Sequence, residues 1–379
     1  MAQEWIATHA AEMAAAAERE SEALVAVSSP SGDAPAAERA IVVASALAPG
    51  GARIERLPCS TAEHAPDLLI SVDGPGQIKI LLVGHLDTVV SHDSFLAPQR
   101  SGHRLVGPGT ADMKGGVALA LGALRALQGR PELGEAALLL VTDEEWRRGQ
   151  FAHTSRFADF DACLCFEAGE RSEDGDDAVV VRRKAAGTLK LIAHGRAAHS
   201  GSAPEQGVSA LLALAEAAQL VAALSEPDGP ERLTAVPTIL RSGEAINVVP
   251  GSGELTCDLR ADSLAALEAV EASIPGEIAG ASIEIVRERA WPGMDAREQT
   301  APLLAAAAEL LGRPIVASER GGASDASHFA AAIEITIDGL GPCGEHSHHP
   351  DEYIELDSLF PRSELVLALL DVVLRSPSR

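Results

Sequence analysis

The chain has 379 residues, of which 46% are hydrophobic, and it carries a formal net charge of −25 from 55 acidic and 30 basic residues. A chain of this length exceeds what one hydrophobic core usually supports, so we expect two domains. The excess of acidic residues disfavours nucleic acid and anionic membranes as partners, because both are themselves negatively charged.

The amino-terminal segment predicts an amphipathic helix rather than an export signal. Residues 1–27 are rich in alanine and carry acidic side chains throughout, without the basic-then-apolar order of a signal peptide. No stretch of the sequence reaches the length of about 18 uncharged apolar residues that a membrane span needs. The five cysteines are scattered and odd in number, so we expect no disulfide framework. These features predict a cytoplasmic protein.

Three short, continuously apolar runs predict parallel strands that are buried on both faces. They are residues 78–84, 136–142 and 162–166. The third run contains Cys163 and Cys165, and a buried strand explains this C-x-C pair better than a metal site does. Residues 115–129 follow glycines with a helical pattern, so strands and helices alternate as they do in α/β proteins.

The pattern changes after about residue 178. Apolar and polar residues alternate at 187–195, 234–243 and 253–261, and helical patterns occupy 207–224 and 262–272. Alternating strands with helices confined to one face predict a two-layer α+β domain.

Buried-strand patterns return in the last part of the chain. Helical patterns lie at 300–311, at 324–332 and from about residue 357, and apolar runs lie at 314–318 and 334–340. The fold class is therefore predicted to be α/β. We expect a discontinuous α/β domain, residues 1–178 and 293–379, into which an α+β two-layer domain is inserted at 179–292.

Potential metal ligands stand where the predicted strands end. His85 and Asp87 close the first strand in LLVGHLD, and residues two apart on a strand point to the same side. The second strand ends in TDEE (142–145), whose adjacent carboxylates repel one another unless something positive lies there, and Glu167 ends the third. The carboxyl ends of parallel strands meet at the edge of the sheet where ligands bind in α/β proteins.

Further candidates come from one aspartate and three histidines. GPGTADMKGG places Asp112 among glycines, which let the backbone fold tightly around a carboxylate, and GEHSHHPDEY offers His346, His348 and His349. Acids at strand ends also occur in solvated loops, and neighbouring histidines can arise by chance. Their coincidence at one sheet edge favours a site for Zn²⁺ or a similar divalent metal, since nitrogen and oxygen ligands suit such ions.

A series of short motifs runs from about residue 80 to the carboxyl terminus. In order they are HLD, GPGTADMKGG, TDEE, FE, AHSGSAPEQG, NVVP, DLR, GGASDA and HHPDEY. This order resembles the co-catalytic zinc exopeptidase family that includes carboxypeptidase G, acetylornithine deacetylase and succinyl-diaminopimelate desuccinylase. The resemblance implies a discontinuous α/β zinc-peptidase catalytic domain whose inserted domain serves in dimerisation and as a lid. It also implies two Zn²⁺ per chain, for which Co²⁺ or Mn²⁺ can substitute.

The resemblance further implies a role for each candidate residue of the metal site. His85 and Glu167 would hold one ion, Glu145 and His348 the other, and Asp112 would bridge the two. Asp87 would orient the ring of His85, and Glu144 would act as the general base. The resemblance also implies a cis peptide bond between Asp112 and Met113.

Two of these ligand assignments leave alternatives open. His348 has the spacing of the family's H-x-P-x-E-Y motif, but His346 and His349 compete with it. The sequence FEAGE departs from the commoner F-E-P of the family, so Glu170 is an alternative to Glu167.

The resemblance places the substrate between the metal site and the inserted domain. His199 would reach into the partner's active site across a homodimer and donate to the developing oxyanion. The residues implied to bind a free α-carboxylate are Asn247, Arg260 and Arg289, and Gly322 is a further implied substrate-binding residue. The implied activity is hydrolysis of an amide bond next to that carboxylate in a small molecule, such as an acyl-glutamate, an N-acyl amino acid or a small peptide.

Other functions remain as alternatives. Deacetylases and desuccinylases of N-acyl amino acids share several of the motifs, so they are the second choice. A metal-binding scaffold without catalysis would have lost the base or a ligand, and neither is missing here. A serine hydrolase and a phosphate-loop enzyme are unsupported, because the chain contains neither G-x-S-x-G nor G-x-x-x-x-G-K-[ST].

Overall fold

A computed structural model describes residues 2–376 and contains a six-stranded central sheet. In order across the sheet its strands are Arg53–Leu57, Asp67–Asp73, Leu133–Val141, Ile78–His85, Ala162–Cys165 and Ile335–Ile337. The last four strands run parallel to one another, and the first two pair antiparallel, so the sheet is mixed. The three strands predicted from their continuous apolar runs are neighbours in the sheet, and we therefore find the predicted α/β class.

Helices cover one face of the central sheet. They are Ala2–Val25, Ala34–Ala46, Gly115–Leu127, Arg297–Leu311 and Leu359–Arg375. Buried side chains from these helices join those of the strands in one core, which contains Met13, Leu121 and Leu370. The opposite face is buried as well, and its core contains Cys163 and Cys165 as free thiols, which is the buried-strand environment expected for them.

A separate five-stranded antiparallel sheet lies in the middle part of the chain. In order across the sheet its strands are Thr234–Ser242, Ser252–Ala261, Ala185–His194, Ala281–Trp291 and Glu277–Ile278. The helices Ala210–Ala223 and Leu264–Ser273 pack their buried residues against it in a core of its own. This is the two-layer α+β arrangement that the alternating pattern predicts. The division into residues 1–178, 179–292 and 293–379 stays a prediction.

A short two-stranded sheet pairs Ala198–His199 with Val248–Val249, and two four-stranded sheets connect further segments. One joins Met294–Asp295, Asp177–Arg183, Ile315–Arg320 and Glu170–Arg171, and the other joins Gly344–Glu345, Tyr353–Glu355, Arg104–Val106 and Gln99–Ser101. The chain enters and leaves the five-stranded sheet side by side, since Arg183 pairs with Met294 and Ala186 with Trp291.

Some predicted elements have different bounds. The helix expected at 324–332 spans only Ala326–Phe329, because the chain then turns into the strand Ile335–Ile337. The helix expected at 207–224 begins at Ala210, where the side chain of Ser209 caps it. Within residues 2–376, no helix is both long and apolar enough to cross a bilayer. The cytoplasmic location stays a prediction.

Candidate metal centre

Three neighbouring parallel strands deliver the candidate ligands to one edge of the central sheet. His85 is the last residue of its strand, Glu144 and Glu145 follow the strand Leu133–Val141, and Glu167 follows the strand Ala162–Cys165. Because the strands are parallel and adjacent, all of these side chains emerge at their shared carboxyl end.

Asp112 stands between two histidines and offers one oxygen to each. Its Oδ1 lies 3.0 Å from Nε2 of His85, and its Oδ2 lies 3.2 Å from Nε2 of His348. Each histidine has a second carboxylate beside it: Glu167 at 3.9 Å from His85, and Glu145 at 3.3 Å from His348. The result is two sets of one histidine and one glutamate, joined by a shared aspartate.

The electrostatics of this arrangement favour positive charge. Burial raises the pKa of Glu167 to about 8, and it raises the pKa of Glu144 well above the usual range. Hydrogen bonds to Asp112 and Glu145 raise the pKa of His348 to about 11. Oε1 of Glu145 is buried without a hydrogen-bond partner in the described part of the chain. Buried carboxylates are costly unless cations neutralise them, so the donor set fits two divalent ions.

The three neighbouring histidines have different surroundings. His348 faces the candidate ligands Asp112 and Glu145, whereas Nδ1 of His346 lies 3.2 Å from Asp351, and Nδ1 of His349 contacts the same carboxylate oxygen. This geometry favours His348 over the other two as the ligand.

Glu170, the alternative to Glu167, is engaged elsewhere. Its carboxylate accepts hydrogen bonds of 2.9 and 2.8 Å from the guanidinium of Arg320. Glu167 is the one of the two that lies beside His85, so the geometry favours it.

Glu352 holds the backbone around Asp112, a contact that sequence reasoning did not assign. Its buried carboxylate accepts hydrogen bonds from the amides of Gly109, Ala111 and Asp112 at 2.9, 2.6 and 2.7 Å. The peptide bond between Asp112 and Met113 is cis, as the resemblance implied. The only sequence signal for this contact is the glutamate in the motif HHPDEY. Its partners could not be predicted from the motif, because they lie more than two hundred residues earlier in the sequence.

Asp87 connects His85 to the turn that carries the acidic pair. Its carboxylate lies 3.5 Å from Nδ1 of His85, and that ring nitrogen lies 3.0 Å from the carbonyl oxygen of Asp87. The same carboxylate accepts hydrogen bonds from the amides of Glu144 and Glu145, at 3.2 and 3.1 Å, and from the hydroxyl of Ser31. One side chain thus fixes the relative positions of a candidate ligand and the candidate base.

A cavity of about 620 Å³ opens beside Glu145. It is lined by Glu145, Trp146, Arg147, Arg148, Thr188, Glu288 and Arg289. Arg289 is partly buried, and its Nε has no hydrogen-bond partner within residues 2–376. The cavity therefore joins a candidate metal ligand to a cation with unused hydrogen-bonding capacity.

The other predicted substrate-binding residues have local partners. Arg260 forms a fork of two 3.1 Å hydrogen bonds with Asp258, and the carbonyl of Gly322 accepts a hydrogen bond from Arg183. Asn247 is exposed, and its backbone carbonyl oxygen accepts a hydrogen bond from the backbone amide of Ser200. The structure thus brings Arg289, and not these three residues, to the cavity beside Glu145.

His199 is exposed at the start of a loop in the middle part of the chain. Its Nδ1 accepts hydrogen bonds from the amides of Gly201 and Ser202, each at 3.1 Å. A neutral ring held in this way carries its proton on Nε2, so it is arranged as a hydrogen-bond donor.

Comparisons with known proteins identify the family of the chain. The sequence model of Peptidase family M20/M25/M40 matches residues 81–372. Carboxypeptidase G2 of Pseudomonas sp. (strain RS-16) is 30% identical over 321 residues, which cover 79% of this chain and 74% of the relative. A succinyl-diaminopimelate desuccinylase of Methylobacterium sp. (strain 4-46) is 30% identical over 370 residues, which cover 87% and 89%.

Solved structures show the same fold at lower identity. The aminopeptidase PepT from Bacillus cereus superposes with a TM-score of 0.74 at 22% identity, covering 95% of this chain and 98% of that one. The metallo-carboxypeptidase Sso-CP2 from Sulfolobus solfataricus gives 0.71 at 15% identity, covering 94% and 99%. The chain therefore belongs to peptidase family M20/M25/M40 and is a metallohydrolase of that family.

Proposed function

We propose that this chain binds two zinc ions and cleaves an amide bond next to a free carboxylate, as a carboxypeptidase does. The observation that carries the proposal is the arrangement around Asp112, which offers one oxygen to each of two histidines. A shared carboxylate between two ligand sets is the arrangement of two-metal hydrolases. The relative named carboxypeptidase G2 supports the choice of activity.

The proposed ligands divide into two sets. One ion would be held by His85 and Glu167 and the other by Glu145 and His348, and Asp112 would be shared. When bound, the ions lower the pKa of water towards about 7 and polarise the scissile carbonyl. Zinc suits these nitrogen and oxygen donors, and Co²⁺ or Mn²⁺ can replace it at such ligands.

Glu144 is the proposed general base. It accepts a proton from the attacking water and later delivers this proton to the leaving nitrogen. It is only 6% exposed, and Asp87 holds its amide, so its carboxylate has a restricted position next to the ligands. Burial raises the pKa of its carboxyl, and bound metal ions would counteract this rise by favouring the charged form.

Arg289 is the proposed anchor for the substrate carboxylate. It lines the same cavity as Glu145, so a substrate can place its amide at the ions and its carboxylate at the guanidinium. A guanidinium binds a carboxylate through two parallel hydrogen bonds. We propose that Arg260, Asn247 and Gly322 complete the binding site when the five-stranded sheet closes over a substrate.

Deacylation of N-acyl amino acids is the second candidate. The relatives named succinyl-diaminopimelate desuccinylase and acetylornithine deacetylase, at 26–30% identity, favour it. Both candidates use the same ions and the same base, and they differ in the groups that flank the scissile amide.

We propose that the protein acts as a homodimer through the five-stranded sheet and its helices. The edge strand Thr234–Ser242 exposes Val236, Ile239 and Leu240, and the helix Ala210–Ala223 exposes Leu212. Exposed apolar side chains on an unpaired edge strand are typical of a surface that another chain covers. In the dimer, Nε2–H of His199 donates a hydrogen bond to the oxyanion that forms in the partner's site.

The first prediction concerns the base. Changing Glu144 to Gln should lower kcat by at least about three orders of magnitude, because the amide cannot accept a proton. Two ions per chain should remain, since this side chain touches the water and is not a ligand. Turnover and metal content of the purified variant give the answer. Near-normal turnover would mean that another group is the base.

The second prediction concerns the carboxylate anchor. Converting the substrate's free carboxylate to an amide should lower kcat/KM roughly fifty-fold, because the partly buried guanidinium of Arg289 then loses its partner. The Arg289→Ala variant should cleave the free and the blocked substrate with nearly equal kcat/KM. Arg287→Ala is the matched control, because Arg287 lies on the same strand but pairs with Glu268 and Glu271. Equal cleavage of both substrates by the wild type would favour a simple deacylase.

The third prediction concerns the dimer. Glu144→Ala and His199→Ala homodimers should both be nearly inactive, and mixing them should restore about a quarter of the wild-type activity, since half of randomly exchanged dimers contain one intact site. A mixture of Glu144→Ala with His85→Ala should stay inactive. Each of these changes disables the site of the chain that carries it, so no heterodimer contains an intact site. Absence of recovery after verified subunit exchange would place the action of His199 within its own chain, or exclude it.

A further inference from the structure

Arg147 is a fully buried cation on the turn that carries Glu144 and Glu145. Its Nη1 donates to Oδ1 of Asp143 at 2.8 Å, and its Nη2 contacts Oδ1 of Asp325. Its backbone amide donates to the carbonyl of Asp143 at 2.9 Å, which closes the turn around the two glutamates. Both carboxylate partners are buried as well. The side chain is therefore fixed by one acid four residues earlier and by a second acid from a distant part of the chain.

The same guanidinium packs between aromatic rings. The Cζ atom of Arg147 lies 4.6 Å from the centre of the Phe151 ring and 4.5 Å from the centre of the Trp291 ring. Trp291 is fully buried and ends the strand Ala281–Trp291, and the guanidinium of Arg289 lies 4.2 Å from the centre of its indole. Arg147 and Arg289 thus share one aromatic side chain, through contacts that are attractive for a planar cation.

We propose that Arg147 is a positioning residue that fixes the base Glu144 relative to the carboxylate anchor Arg289. This proposal rests on the proposed function. Arg147 joins the turn that carries Glu144 to the strand Ala281–Trp291 through Trp291, and to the segment that follows Gly322 through Asp325. Catalysis is sensitive to displacements of about 1 Å between reacting groups, so a rigid link between anchor and base affects the rate directly.

A purely structural role explains this arrangement less well. Apolar residues of similar volume often stabilise a protein as much as a buried ion pair does, because they avoid the cost of desolvating charges. The buried guanidinium of Arg147 carries this desolvation cost. Moreover, Nε of Arg147 and Oδ2 of Asp325 each have no hydrogen-bond partner within residues 2–376. What the arginine provides in addition is a planar group that fixes two acids and an indole in one geometry.

The test compares Arg147→Lys and Trp291→Phe with the wild type on paired substrates, one with a free carboxylate and one with that carboxylate blocked as an amide. Arg147→Lys keeps the charge but loses the planar fork, so kcat for the free substrate should fall at least about tenfold while two zinc ions stay bound. The preference for the free substrate should fall from roughly fifty-fold to less than about tenfold. Trp291→Phe should shift this preference in the same direction by a smaller factor.

Arg156→Met is the matched control, because Arg156 also pairs with an acid and lies near an aromatic ring, but at the surface. It should leave kcat and the substrate preference unchanged. An unchanged preference in both Arg147→Lys and Trp291→Phe, or an equal loss on both substrates, would overturn the proposal. If the wild type shows no preference, the proposed function fails, and the role of Arg147 is then decided by methylguanidinium: recovery of kcat in Arg147→Ala supports positioning of Glu144, and no recovery rejects it.

Discussion

The crowding of buried carboxylates around Asp112 is the constraint on which the rest of the site depends. Parallel strands bring acids to one sheet edge, and their repulsion is relieved only by positive charge. Two histidines supply part of it, and they lower the pKa of Asp112 even though burial opposes this. The division of ligands between them, with Asp112 shared, is the arrangement that two divalent ions require.

Several further groups hold this crowded edge in one geometry. The carboxylate of Glu352 accepts hydrogen bonds from three backbone amides around Asp112. The carboxylate of Asp87 accepts hydrogen bonds from the amides of Glu144 and Glu145 and also faces His85. On the far side, Arg147 links the same turn to the five-stranded sheet. The proposed ligands, the proposed base and the proposed anchor are thus connected through side chains that accept or donate more than one hydrogen bond. Such support keeps catalytic groups within the small tolerances that they need.

Much of the fold could be predicted because the strands differ in how they are covered. The strands Ile78–His85 and Leu133–Val141 are buried on both faces and read as continuous apolar runs. The strand Arg53–Leu57 lies at the sheet edge and is mostly exposed, so its sequence carries no such signal. Ala281–Trp291 contains four charged residues that face outward or pair with neighbouring elements, which hides its strand character as well.

The candidate ligands were predictable from ordered motifs, but the contacts that support them were not. His346, His348 and His349 could be separated only by their partners in space, since one faces Asp112 and two face Asp351. The contact of Arg147 with Asp325 joins residues that are far apart in the sequence, and no spacing rule reveals it.

Counting bound zinc in matched histidine variants tests the two-ion site most directly. After reconstitution and removal of loosely bound metal, the wild type and His346→Ala should retain two ions per chain, and His348→Ala should lose one of them. A single ion in the wild type, or loss of metal from His346→Ala with retention in His348→Ala, would contradict the account.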